Sequence, residues 1–155
     1  MGDNYRGNKG YSSNRFGGYS NEDLDMEPKR IFENAAYKAE WITNGADVQL
    51  PAFAESMGKY MAKNDLTNSK IRSIYGEIKR IQMRGFKDEE ASFYLLKPKV
   101  AYALGREKDN KGLRLFKIVF DSCVEAVSNQ ETFQNFCNLL EAILAYHKAY
   151  AKKRD

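Results

Sequence analysis

Read at 100° per residue, residues 66–86, LTNSKIRSIYGEIKRIQMRGF, sort their side chains by chemistry. Ile71, Ile74, Tyr75, Ile78 and Ile81 fall on one stripe at the spacing of an amphipathic helix. Arg72, Lys79, Arg80 and Arg84 fall on the opposite side, with Glu77 the only acid, at the edge. One face is a core face; the other is suited to tracking phosphates. Helical periodicity recurs along the chain. Pro28 suits a first helical position and opens an expected helix over 29–43, with Gly45 as the stop. A short helix follows around 51–63, and Thr67 or Asn68 caps the basic helix, which ends near Gly85. Asp88 is the expected cap of the next helix, placing Glu89 and Glu90 in a first turn where the macrodipole favours acids. Pro98 predicts a kink within 94–98, and Gly105 with the loop EKDNKG ends that helix. Residues 113–127 and 132–152 form strong amphipathic patterns, the second opened by a capping box of Ser128 and Glu131. No segment alternates with period two. The expected fold is all-α, a compact bundle of about five to six helices.

The first 27 residues are different in kind. They hold five Gly and four Asn, with Tyr5, Tyr11, Phe16 and Tyr19 set between Arg6, Lys9 and Arg15, and end in Glu22, Asp23, Asp25 and Glu27. Such a composition buries little apolar surface, so residues 1–27 are expected to be a flexible low-complexity tail and residues 28–155 a single helical domain. The RG and RFGG patches of the tail suit weak stacking and charge contacts to RNA; a solvated tail is the simpler reading.

Charge sharpens this division. The chain carries a net +4, yet residues 1–27 hold three basic and five acidic residues. Between Asn68 and Lys117 there are thirteen basic residues against six acidic ones. That concentration permits an anionic partner without requiring one, since many solvated helices are rich in lysine.

Candidate chemistry is sparse. Cys123 and Cys137 both lie on apolar helical stripes, where a free thiol behaves as a small hydrophobe. No CxxC or HxxxH spacing offers the ligands of a structural zinc site, and no cofactor or metal is expected. His147, the one histidine, sits among Phe133, Phe136, Leu140, Ile143 and Leu144, the setting of a buried structural imidazole; Glu141 points away from it on the same helix. No P-loop, GxGxxG or GxSxG is present, so no catalytic residue is assigned. The N-terminus is polar and Gly-rich, unlike a signal peptide, and no apolar run reaches the roughly 18 residues of a membrane span. A cytoplasmic protein with reduced thiols is expected.

Binding chemistry is better represented. On the helix around Pro98, Leu95, Lys99, Tyr102 and Arg106 align away from a core stripe of Phe93, Leu96, Val100 and Leu104. Cations with a ring between them suit an RNA backbone, although a solvated face with a stray tyrosine gives the same pattern. In the next helix Leu115 and Ile118 lie outside the core stripe Leu113, Phe116, Phe120, Cys123, Val124 and Val127. They are the candidate protein-interface residues, exposed apolars that could pack on a neighbour.

Four blocks in order, IRSIYGEIKRIQ, LLKPKVAYALGRE, GLRLFKIVFDSCVEAV and FCNLLEAILAYHKAY, resemble the small subunit of the type III-A (Csm-type) CRISPR effector complex. The resemblance is close over 65–151 and looser over 28–64; the tail has no counterpart. It implies an all-α subunit present in several copies, stacked as a minor filament beside the subunits that hold the guide RNA. It also implies a non-catalytic role in antiviral defence, with crRNA and complementary target RNA, the backbone and large polymerase subunits and copies of itself as partners, and no membrane. Base pairing then supplies sequence specificity while this chain supplies backbone contacts, a division of labour known from other guided effectors. The nucleic-acid-binding candidates it implies are Lys70, Arg72, Lys79, Arg80 and Arg84 on the IRSIYGEIKRI helix, with Lys97, Lys99 and Arg106 around LLKPKVAYALGR. The competing readings are a stand-alone helical RNA-binding protein and a purely structural adaptor; an enzyme using His147 is the remotest.

Overall fold

The structure, a computed structural model, describes residues 20–151. Its first helix, α1 (Asn21–Asn34), starts seven residues before the expected Pro28 and carries that proline inside it. Ser20 and Asp23 form a reciprocal capping box, and tertiary contacts hold the acidic turns that composition had assigned to the tail. Asp25 pairs with Arg114 at 2.7 Å, and Glu27 accepts the Tyr60 hydroxyl at 2.7 Å. A helix lacking one internal hydrogen bond at Pro28 survives because its acids find partners on other elements. The low-complexity stretch before Ser20 lies outside the described residues.

The expected 29–43 helix is broken. Asn34 ends α1, Ala36 takes a positive φ of 57°, and a separate turn, α2 (Glu40–Thr43), buries Trp41 and Ile42. Next come α3 (Leu50–Lys63) and α4 (Asn68–Arg84), the latter capped by Thr67 and closed at Gly85. The kink falls where Pro98 predicts it, as a break at Leu95 between α5 (Glu90–Tyr94) and α6 (Leu96–Gly105). Asp88 does not cap α5; its N-cap is Glu89, whose side chain turns instead toward α4. Helices α7 (Lys111–Val124) and α8 (Gln130–Tyr150) complete the bundle, capped by Asn110 and by an Asn129–Thr132 box rather than by Ser128 and Glu131. There is no strand among the described residues.

Helices α3 and α8 form the most extensive pairing, and α7 packs against α1, α3 and α6 together. Aromatic rings tie the second half of the chain to this centre. Phe86 and Phe93 each stand 5.4 Å from Phe133, and Phe120 stands 5.6 Å from Phe136. Packing on several sides overturns one expectation: Leu115 is fully buried in the chain's own core, with 0% exposure. A single apolar stripe describes a helix with one neighbour, and α7 has three. Ile118 is half-buried beside Ala101, Leu104 and Lys29.

The turn from α3 to α4 is held by its carbonyls. Asn64 accepts the Gly112 N–H at 2.6 Å, Asp65 accepts the Asn110 side-chain amide at 2.9 Å, and Leu66 receives His147 Nε2 at 2.6 Å. The imidazole therefore donates from Nε2 within the core, the structural role expected of it. Cys123 and Cys137 are free and buried, and burial pushes both thiols up to about 12, which makes them poor nucleophiles.

Close approach of α3 to α8 depends on Gly58. A Cβ there would lie 2.5 Å from the Ile143 carbonyl oxygen and 2.6 Å from the His147 nitrogen, both backbone atoms that cannot swing aside. Helix propensity alone would make Gly58→Ala stabilising by about 1 kcal/mol. The clash reverses that sign, and urea denaturation should show a net loss of about 2 kcal/mol.

Candidate nucleic-acid interface

Helix α4 forms as its sequence pattern requires. Ile78 and Ile81 are fully buried, Ile71, Ile74 and Tyr75 are half-buried, and Arg72, Lys79 and Arg84 face solvent. Between α4 and α6 lies a cleft of about 620 Å³. Ser69, Ser73, Ile74 and Glu77 line it from α4, and Leu96, Val100, Tyr102 and Ala103 from α6. The fold brings Lys70, Lys99 and Arg106 together around this cleft. It leaves Arg72, Lys79, Arg80, Arg84 and Lys97 outside the lining, on the flanking faces.

Most of these cations already have an internal partner. Lys70 is ion-paired with Glu107, and Lys79 meets Glu141 at 3.2 Å with its ammonium over the Tyr75 ring. Arg80 bridges Glu77 at 3.3 Å and Glu89 at 3.1 Å, while Arg84 reaches the other Glu89 oxygen at 3.1 Å. Lys99 lies 3.9 Å from Glu77. Arg72, Lys97 and Arg106 have no carboxylate partner among the described residues; Arg106 stacks on Tyr102, 5.9 Å from the ring centroid. Tyr102 is 69% exposed, so one of its faces remains available to a base.

Local charge is fixed by these pairs. A hydrogen bond from Ser92, followed by those from Arg80 and Arg84, holds the Glu89 carboxyl below its ordinary value. Burial, followed by the hydrogen bond to Glu141, pushes the Tyr75 phenol up to about 12. Sequence reading missed the carboxylates that compensate the basic face. Glu77 and Arg80 were visible as an i, i+3 pair, but Glu141 reaches Lys79 from α8, with no signal in local spacing.

The family model described as Csm2 Type III-A matches residues 46–153 of the 155. This chain belongs to the Csm2 type III-A family. No curated protein and no solved structure matches it. The family is that of the small subunit of the type III-A CRISPR effector complex, in agreement with the resemblance read from the four sequence blocks. The matched span contains all of α3 through α8, and so the cleft and every candidate cation; α1 and α2 precede it. No group of metal-ligating side chains is present among the described residues, and no helix among them is long and apolar enough to cross a membrane.

Glu141 supplies a pH test of the compensation. Hydrogen bonding to Tyr75, then the contact with Lys79, holds its carboxyl below the ordinary 4.5. A carboxyl whose value is lower in the folded than in the unfolded state stabilises the fold above its ordinary value. That contribution is lost as pH falls through the depressed folded value. Thermal stability of the wild type should therefore fall as pH drops below 4.5, and Glu141→Gln should flatten that part of the profile. An unchanged acid limb in the variant would rule out this linkage.

Proposed function

We propose that this chain is the non-catalytic small subunit of a cytoplasmic type III-A interference complex. Several copies stack as the minor filament and contact the backbone of the crRNA–target RNA pair through the α4–α6 cleft and its flanks. The backbone and large polymerase subunits are its protein partners, and no cofactor takes part. The observation that carries this reading is the family match over α3–α8 together with the cations gathered on α4 and α6. His147 is committed to the Leu66 carbonyl in the core, which supports the non-catalytic role.

The ion pairs refine which cations do the work. An exposed pair contributes about 0–1 kcal/mol, so exchanging carboxylate for phosphate costs little and gains little. Among the described residues Arg72, Lys97 and Arg106 have no such exchange to make, and they lead the contact. The structural-adaptor reading draws on a different observation, the exposed apolar side chains Met83 and Leu95. The corrected interior position of Leu115 removes one of its two original residues and leaves Ile118.

The test is RNA affinity as a function of salt. Each phosphate neutralised on a single strand contributes about −0.7 to the log–log slope. The combined Arg72→Ala, Lys97→Ala and Arg106→Ala variant should flatten the slope by about 2, with an unchanged melting temperature. Equal slopes for variant and wild type would reject contact through the cleft and its flanks and favour the adaptor.

A further inference from the structure

A second cluster of cations lies elsewhere on the molecule, and its charges are not compensated in the same way. Lys59 and Lys63 stand one helical turn apart on α3, both exposed, and neither makes an ion pair among the described residues. Both ammonium groups instead converge on the ring of Tyr150 at the end of α8. Lys59 Nζ lies 5.5 Å and Lys63 Nζ 5.9 Å from its centroid. A cation–π contact at an exposed site is weak, and two like charges drawn to one ring repel each other. An anion placed beside both relieves that repulsion. Glu55 does not fill this role by pairing with a lysine; it accepts the Tyr150 hydroxyl at 2.8 Å. The macrodipole accounts for a lysine in the last turn of α3, which explains Lys63 but not Lys59.

The surroundings suit an extended anionic chain. Beside the lysines a groove of about 360 Å³ opens between α1 and α3, lined by Ile31, Asn34 and Ser56 among others. Neither the two lysines nor Tyr150 lines the α4–α6 cleft.

We propose that Lys59, Lys63 and Tyr150 form a second contact site for single-stranded RNA. The two ammonium groups meet phosphates, and the ring holds them side by side. Cations set against an aromatic ring are the combination that single-stranded nucleic-acid sites use, and acidic peptides have no corresponding use for the ring. The site stands independently of the cleft, and a chain carrying both would engage RNA on two separate surfaces.

The test uses the full-length chain and a 5′-labelled oligouridylate, with fluorescence anisotropy followed across a salt series. The Lys59→Ala, Lys63→Ala double variant should flatten the log–log slope by about 1.4 and weaken binding at low salt several-fold. The Lys59→Arg, Lys63→Arg variant should retain both, and circular dichroism should show equal melting temperatures. The cleft variant runs in parallel and separates the two sites. A flattened slope for the lysine variant alone upholds this site and counts against the cleft. An unchanged slope for the lysine variant overturns this site whatever the cleft variant does. Loss of binding to labelled polyglutamate with RNA binding intact also overturns it, in favour of an acidic protein partner. A wild-type chain that fails to bind the oligouridylate at low salt overturns both sites.

Discussion

Three consecutive carbonyls between α3 and α4 fix the geometry on which the rest of this fold depends. Asn64, Asp65 and Leu66 each offer their oxygen to a different donor: a backbone N–H of α7, the Asn110 side chain that caps α7, and the His147 ring of α8. Leu66 is buried, so its carbonyl left unpaired would cost about 1–3 kcal/mol, and the carbonyls of half-buried Asn64 and exposed Asp65 add two further bonds that pin the turn in this arrangement. Asp65 adopts a φ of 73° to reach it, a conformation that an aspartate tolerates better than most residues. The consequence is directional. Leu66 leads straight into Thr67 and α4, so the donors on α7 and α8 set the angle at which the basic helix leaves the core. Gly112 permits the approach, since a Cβ there would meet the Asn64 oxygen at 2.5 Å.

Charge is organised by the same economy of partners. Arg114 is 4% exposed, and its guanidinium satisfies itself with Asp25 at 2.7 Å and the Lys108 carbonyl at 2.7 Å. A buried guanidinium without such an acid would carry an uncompensated charge, so α1 is bound to α7 by more than apolar packing. Glu27 repeats the pattern more weakly, reaching Lys111 at 3.8 Å. An acidic segment that by composition resembled a tail is therefore the counter-charge of a helix about ninety residues away in sequence.

This separation explains what the sequence could and could not disclose. The positions of α3, α4, α7 and α8, the break before Pro98, the core stripe of α4 and the burial of His147 follow from short-range periodicity and were legible, whereas the break of the expected 29–43 helix after Asn34 was not. The start of α1 was not, because the partners that justify it, Arg114 and Tyr60, are far along the chain. Leu115 was misplaced for a related reason: a periodicity argument assigns one inside and one outside, and α7 has neighbours on three sides. Arg72, Lys79 and Arg84 on α4 and Lys97 and Lys99 on α6 are exposed and Lys70 and Arg80 half-buried, but the carboxylate partners on α8 and before α5 left no trace in local spacing.

Those partners alter what the basic face can offer RNA. A cation already paired with a carboxylate attracts fewer mobile anions, and binding a phosphate there exchanges one ion pair for another rather than forming a new one. The number of arginines and lysines on α4 and α6 therefore overstates the electrostatic affinity of a single chain. Under the proposed reading, weak contact per copy is compatible with firm contact by an array, because each further copy binds an RNA that is already held nearby. Pairing also makes the face less attractive to RNA that meets the chain alone. A subunit whose sequence specificity comes from a base-paired guide gains from that restraint, since strong binding by individual copies would retain RNA of any sequence.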